Sequence, residues 1–233
     1  MACYAEVPFT IRAYALDGSF NRDEWLVQDK PAMRAKNPFI NLPFVRDGDV
    51  LVTQSNACMS YLGRKFGMWG NSDAELITCE TLLCETMDLR NAVVRFSYSA
   101  TKADAQEFVN SCRNGSLAKI EMHLASTEFF AATRPFTLGT RVSAPDFHLY
   151  ELLLQIKLAS EFYECDAFFT ADMPNLELFF TGFGKLPKMQ KYLASPMASM
   201  PLNNLMANFG SLGDGSKWEA GKALPAACDK MSF

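Results

Sequence analysis

Residues 39–57, FINLPFVRDGDVLVTQSNA, constrain the fold of this chain more than any other segment. An apolar run ending at Pro43, an Asp-Gly pair at 47–48 and a second apolar run together predict a β-hairpin. Gln54 and Ser55 then open a helical pattern, and the first N–H groups of a helix have no partner within it. Because those groups and the helix dipole attract anions, the segment predicts a site for a small carboxylate.

Composition and charge narrow the class of protein. Of 233 residues, 49% are hydrophobic and 12% aromatic, which is typical of a packed core. The net charge is −4, and no basic run interleaved with aromatic residues indicates a nucleic-acid partner. No stretch approaches the roughly 20 apolar residues of a membrane-spanning helix.

The seven cysteines and two histidines favour neither a disulfide framework nor a metal site. The cysteines are scattered without a C-x-x-C pair, and the histidines are too few and too separate for zinc. No secretory signal is visible at the N-terminus. Together these features predict a cytoplasmic protein with reduced thiols and no metal.

The periodicity divides the chain into a short α/β part and a longer helical part. Residues 1–67 form the predicted α/β domain, in which 7–14 alternate as a strand and 55–66 follow a helical pattern. Residues 68–71 read as a linker. An all-helical domain is predicted over 72–200, and the Gly-, Ala-, Ser- and Lys-rich residues 201–233 as a weakly structured extension.

Capping signals locate the helices of the second part. Ser72-x-x-Glu75 and Ser143-x-x-Asp146 are capping boxes, and each precedes an apolar helical run. A further pattern runs from 103 to 125 and is interrupted near a glycine at 115. Shorter helices are predicted to start at the Met-Pro and Leu-Pro pairs of 173–174 and 186–187. The residues 31–38, which lie between prolines in the first part, are predicted to be irregular.

These pieces resemble, in order and spacing, the cytosolic glutathione transferases, and are most similar to the mu, pi and sigma-like classes. The resemblance spans residues ~3 to 200 at the domain scale and rests on 41–44, 47–48, 53–57, 61–67, 85–88 and 143–147. It implies an α/β thioredoxin-like N-terminal domain, an all-α C-terminal domain and a homodimer. It also implies an incomplete N-terminal domain that begins after the family's first strand and most of its first helix. In the family the catalytic Tyr, Ser or Cys lies in that first part, so no catalytic residue is assigned.

The resemblance implies a glutathione site around the hairpin and the following helix. Gln54 and Ser55 would hold the γ-glutamyl end of the tripeptide, and their alternative role is only to cap the helix. Leu42, which precedes a proline that is cis in the family (Pro43), would pair its backbone with the cysteinyl part, with Asn41 beside it. An edge-strand proline without a ligand is the alternative for that bond.

Three further residues are assigned by the same resemblance. Trp25 would border the glycyl end, and Lys30 lies one residue out of register with a lysine that binds the glycyl carboxylate. Asp88 would reach the glutathione amine of the neighbouring subunit. The alternatives are a core or surface aromatic for Trp25, a solvated charge for Lys30, and an exposed helix residue for Asp88.

Three functions follow as expectations. The first is a detoxifying transferase that joins the glutathione thiolate to an apolar electrophile, held by helical residues such as Met87, Phe96 and Tyr98. The alternative is a catalytically silent homologue that acts as a structural subunit in a larger assembly. A glutathione-dependent isomerase or peroxidase on the same scaffold is a third interpretation. Glutathione is the co-substrate in each enzymatic case.

Overall fold

A computed structural model describes residues 1–12, 14, 22–126, 136–139, 141–204 and 206–211. In chain order, its helices and strands are α1 (Ala2–Ala5), a π turn (Glu24–Asp29), α2 (Lys30–Arg34), β1 (Phe44–Asp47), β2 (Val50–Thr53), α3 (Ser55–Lys65), α4 (Asp73–Ser99), α5 (Lys102–Cys112), a second π-helical turn (Arg113–Leu117), α6 (Ala118–Ser126), α7 (Ala144–Phe162), α8 (Pro174–Gly184), α9 (Pro187–Leu193) and a 3-10 turn (Pro196–Ser199). The chain thus passes from a small α/β unit into a helical unit.

The predicted hairpin is confirmed. Strands β1 and β2 pair antiparallel, with Phe44 opposite Thr53 and Asp47 opposite Val50. Gly48 in the connecting turn has a φ of 57°, a conformation that glycine adopts without steric cost.

Two other predictions for the first part are wrong. Residues 7–12 belong to no helix and have no ladder partner in the part of the chain that the structure describes, so the strand predicted over 7–14 is not observed there. The region 31–38, predicted to be irregular, begins inside α2. Pro31 is the second residue of α2, and this helix continues directly from the π turn.

The predicted linker 68–71 is a packed junction between the two units. Trp69 is 4% exposed, and the Met68 carbonyl accepts a hydrogen bond from the Ala144 N–H at 2.8 Å. Gly63 on α3 makes this approach possible. A Cβ atom at that position would lie 2.8 Å from the Trp69 ring and 2.9 Å from the Ala144 Cβ. The junction therefore fixes α3 against the start of α7.

The helical unit is built around α4 and α7, and its starts are capped from within. At α7 the predicted capping box is confirmed: the Asp146 carboxylate accepts hydrogen bonds from the Ser143 N–H at 2.6 Å and the Thr137 N–H at 3.0 Å. At α8 the carboxylate of Glu121, from the distant α6, accepts the Leu176 N–H at 2.8 Å. That second cap joins residues 55 positions apart, so no local sequence signal could predict it.

The extension expected to be weakly structured begins with a packed segment. Phe209 is 2% exposed and lies against the rings of Phe96 and Tyr163. The Phe209 N–H also donates to the Ser97 carbonyl at 3.0 Å. Residues 206–211 therefore pack on the helical unit, while 205 and 212–233 lie outside the described residues.

Candidate glutathione site

The N-terminus of α3 is open to solvent. Gln54 occupies the N-cap position with φ 73° and ψ 127°, and no side chain caps this helix start among the described residues. Ser55, predicted as the cap, is instead the first helical residue. Gln54 is exposed and Ser55 half-buried. The amide of Gln54, the Ser55 hydroxyl and the first backbone N–H groups therefore all lie where an anion could bind.

Thr53 anchors the turn that brings Leu42 next to this helix start. Its hydroxyl donates to the Asn41 carbonyl at 2.8 Å and accepts from the Asn41 N–H at 3.1 Å. The Leu42-Pro43 bond is cis, and Leu42 is 43% exposed. Thr53 itself is buried. Thr53 belongs to the 53–57 motif, but the sequence does not indicate its role because its partner Asn41 lies 12 residues away.

Trp25, Lys30 and Asn41 form one cluster beside the hairpin. The Trp25 ring is 7% exposed and stacks on Phe44 with a centroid distance of 5.9 Å. The Lys30 Nζ atom lies 5.8 Å from the Trp25 ring centroid and 3.4 Å from the Asn41 Oδ1 atom. The burial of Trp25 agrees with its alternative role as a core aromatic residue. Its ring also lies against the Lys30 ammonium.

Lys30 has no ion-pair partner among the described residues. The adjacent Asp29 is engaged elsewhere, since its carboxylate accepts from Arg12 at 3.2 Å and from the Tyr14 hydroxyl at 2.6 Å. An ammonium over an aromatic face is stabilised by the ring quadrupole and keeps its donors available. Lys30 can therefore bind a carboxylate without displacing an existing ion pair.

Asp88 lies apart from this cluster. It is exposed on α4, and no hydrogen bond or ion pair joins it to the other predicted site residues in the described part of the chain. Other residues join α3 to α4: the Asn56 side chain donates to the Leu83 carbonyl at 3.2 Å, and Arg64 forms an ion pair with Glu80 at 3.8 Å. Arg90 and Arg95, which follow Asp88 on the same helix, form no ion pair with it among the described residues either.

A groove of about 1300 Å³ lies beside β1. Its lining includes Leu42 and Pro43, together with Pro8, Phe9 and Thr10. Tyr14 also lines the groove, so the predicted cysteinyl-binding edge faces an open space.

Two tyrosine hydroxyls and two cysteine thiols of the first unit have raised pKa values. Burial, aided by the hydrogen bond to Asp29, raises the pKa of Tyr14 to about 12. The Tyr61 hydroxyl donates to Asp47 at 2.5 Å, and this bond raises its pKa. Burial likewise raises the pKa of the Cys3 and Cys58 thiols. None of these four groups has the lowered pKa that marks an activated nucleophile.

The three residues expected to line an electrophile pocket have different environments. Phe96 is buried and stacks on Phe108 with a centroid distance of 3.9 Å, so it belongs to the core. Tyr98 is 41% exposed and accepts a hydrogen bond from Asn204. Met87 is half-buried on the same helix. Only Met87 and Tyr98 remain accessible to a ligand.

Known proteins share both the sequence and the fold. The family model described as "Glutathione S-transferase, C-terminal domain" matches residues 87–196. Glutathione S-transferase Mu 3 of Homo sapiens is 30% identical over 193 residues, which cover 82% of this chain and 79% of that protein. The chain belongs to the glutathione S-transferase family. Glutathione S-transferase 2 of Gallus gallus is 29% identical over 198 residues, covering 82% of this chain and 81% of that protein.

Solved glutathione S-transferases confirm the fold. The structure of the glutathione S-transferase Blo t 8 superposes with a TM-score of 0.70 at 23% identity, covering 90% of this chain and 91% of that one. The pi-class enzyme of Onchocerca volvulus gives 0.62 at 24% identity, covering 77% and 82%. The architecture is therefore a thioredoxin-like N-terminal domain followed by an all-α domain, as the sequence predicted.

The described residues contain neither a membrane-spanning helix nor a cluster of metal-binding side chains. No helix there is long and apolar enough to cross a membrane. No group of three or more His, Cys, Asp or Glu side chains there is placed to hold a metal ion.

Proposed function

We propose that this family member binds glutathione as its co-substrate and conjugates the glutathione sulfur to an apolar electrophile. The observation that carries the proposal is the geometry of three binding elements around one hairpin. They are the uncapped start of α3, the exposed Leu42 edge and the unpaired Lys30 ammonium. Glutathione is an extended tripeptide with a carboxylate at each end. Its two carboxylates suit the helix start and the ammonium, and its backbone suits the exposed edge.

The γ-glutamyl end binds at the start of α3. Its carboxylate accepts from the Ser55 hydroxyl and the first helical N–H groups, where the helix dipole adds favourable charge. The Gln54 amide lies beside it and can pair with the same end. Backbone donors bind without the desolvation cost of a buried cation, which suits a site that is partly open to water.

The middle and the glycyl end follow the hairpin. The Leu42 backbone pairs with the cysteinyl part as an added strand would, with Pro43 and Asn41 fixing the local conformation. Lys30 binds the glycyl carboxylate over the Trp25 ring. Since the ammonium is unpaired among the described residues, the ligand gains a charge-assisted hydrogen bond there.

We further propose that the two domains bind different substrates and that the protein is a homodimer. Residues 1–67 hold glutathione, and residues 72–200 supply the electrophile surface that includes Met87 and Tyr98. A homodimer places Asp88 of one subunit near the glutathione amine of the other.

A second candidate is a family member that binds glutathione without turnover and acts as a structural subunit. The observation that favours it is that the Tyr14 and Tyr61 hydroxyls both donate to aspartates. Conjugation needs a donor that favours the glutathione thiolate over the thiol. A hydroxyl already committed to a carboxylate supplies that donor only after losing its partner.

Calorimetric titration with glutathione, followed by a conjugation assay with 1-chloro-2,4-dinitrobenzene, separates the two candidates. We expect Ser55→Ala and Gln54→Ala each to weaken glutathione binding about tenfold, the loss of one hydrogen bond to a charged group. Ser60→Ala, on the same helix but away from its start, serves as the matched control. Binding with turnover supports the transferase, and binding without turnover supports the silent homologue. Failure of the folded wild type to bind contradicts both.

A further inference from the structure

The π turn over Glu24–Asp29 relates Trp25 to Lys30. Its closing backbone hydrogen bond runs from the Lys30 N–H to the Trp25 carbonyl, an i→i+5 bond in place of the α-helical i→i+4 bond. In an α-helix, a residue five positions along lies about 140° round the axis, on another face. The wider turn brings Lys30 back to the Trp25 face, with its Nζ 5.8 Å from the ring centroid.

Pro31 provides a physical cause for the wider turn. Proline has no N–H to donate to the carbonyl four residues earlier, that of Val27, and its ring crowds that carbonyl. A helix that meets a proline commonly relieves this crowding through a kink or a π-bulge upstream. The backbone stays helical through Asp29 and Lys30, so Pro31 has a complete helical turn before it and the crowding falls on that turn.

We propose that the π turn enforced by Pro31 is a positioning element, which keeps the Lys30 ammonium over Trp25 and beside Asn41. It thereby sets the affinity for the far carboxylate of the ligand, an inference that rests on the proposed glutathione site. The turn compensates for the one-residue register shift of Lys30 that the family resemblance implies. Lys30 contacts the ligand directly, whereas Pro31 and the π turn act by positioning Lys30.

Glutathione titrations of the full chain test this role. Pro31→Ala allows an ordinary α-helical turn, so Lys30 should leave the Trp25 face. We expect Pro31→Ala and Lys30→Gln each to weaken glutathione binding about tenfold, and the double variant to be no weaker than either. Deleting Val27, which is 64% exposed, in the Pro31→Ala background should restore binding, because Lys30 then stands four positions after Trp25. Pro38→Ala is the control for losing an exposed loop proline.

A ligand analogue isolates the carboxylate. Glutathione with its glycyl carboxylate converted to an amide should bind the wild type about tenfold more weakly than glutathione. The Pro31→Ala and Lys30→Gln variants should bind the amide and glutathione alike. Unchanged glutathione affinity in Pro31→Ala, or losses that multiply in the double variant, would overturn the positioning role.

An NMR measurement keeps this inference separable from the proposed function. The Lys30 ε-methylene protons should be shifted upfield by the Trp25 ring current in the wild type, with the assignment made by comparison with Lys30→Gln. Pro31→Ala should abolish the shift, and the deletion of Val27 should return it. No glutathione binding by the wild type overturns the proposed function, whereas an upfield shift that persists in Pro31→Ala overturns the positioning role of the turn.

Discussion

The starts of α3 and α7 differ in whether side chains bind the free N–H groups of the first helical turn. At α7, Ser143 and Asp146 are both 0% exposed and close a reciprocal capping box. At α3, Gln54 is exposed and no side chain caps the helix among the described residues. The first arrangement contributes stability, and the second leaves donors for a ligand. The contrast teaches that a missing cap is informative when a neighbouring helix of the same chain is fully capped.

The two units also differ in how their titratable groups are held. In the helical unit, burial raises the pKa of Asp146 and lowers that of His148 to about 4. The first turn of α3 contains no acidic residue. Changes to the helical unit should therefore affect unfolding, while changes at α3 should affect binding.

Asp146→Ala should have the largest effect on stability. It removes the acceptor for the N–H groups of Thr137 and Ser143 and leaves both buried donors unpaired. We expect the free energy of unfolding to fall by about 3 kcal/mol, measured by urea denaturation. Asp146→Asn, which keeps the acceptor oxygen but not both bonds, should lose less. A loss below about 1 kcal/mol for the alanine variant would break the contrast between the two helix starts.

Acidification should destabilise the helical unit through His148. Its folded pKa of about 4 lies below the usual histidine value of 6.5, mainly because of burial and also because of the nearby Arg90 charge. The unfolded chain therefore binds more protons between these values, and the stability present above pH 6.5 is lost as the pH falls towards 4. From pH 7 to pH 5 we expect His148 to account for a loss of about 2 kcal/mol.

The matched variant for this measurement is His148→Gln, which keeps a polar group near the Thr86 hydroxyl, 3.2 Å from Nδ1 in the wild type. Urea denaturation at several pH values should give this variant a shallower dependence on pH than the wild type. Equal slopes for the two proteins would show that His148 does not carry the effect.

Thr53→Val should have an intermediate effect and should lower both the stability of the protein and its affinity for glutathione. The valine keeps the shape of the side chain but leaves the Asn41 N–H and carbonyl without their partner. We expect a loss of about 1 kcal/mol in unfolding free energy and weaker glutathione binding through the displaced Leu42 edge. Thr53→Ser, which retains the hydroxyl, should recover most of both. Glutathione affinity identical to that of wild type in the valine variant would separate the hairpin anchor from the site.

Ser55→Ala should have the smallest effect on stability, below about 0.5 kcal/mol, because its hydroxyl makes no cap bond. The matched change at the other helix, Ser143→Ala, should cost about 1–2 kcal/mol. Both variants are compared by thermal and urea denaturation without glutathione. A larger loss for Ser55→Ala than for Ser143→Ala would reverse the comparison.

Local signals in the sequence accounted for much of the fold and part of the site. The Asp-Gly turn, the helix that follows Gln54 and the capping box at Ser143 depend on neighbouring residues, so they could be predicted. The predicted strand over 7–14 was wrong for the described residues, because a strand exists only when another strand pairs with it.

The sequence by itself determined the hairpin, the order of the helices and the family, since these follow from short-range patterns and their spacing. Only the tertiary structure decided that Thr53 anchors Asn41, that Glu121 caps α8, and that a π turn returns Lys30 to the Trp25 ring. The physical reason is that these contacts join side chains and backbone groups whose meeting depends on chain path and helix geometry. A sequence pattern identifies which residues can cap, pair or bind, but the packing of the whole chain selects their partners.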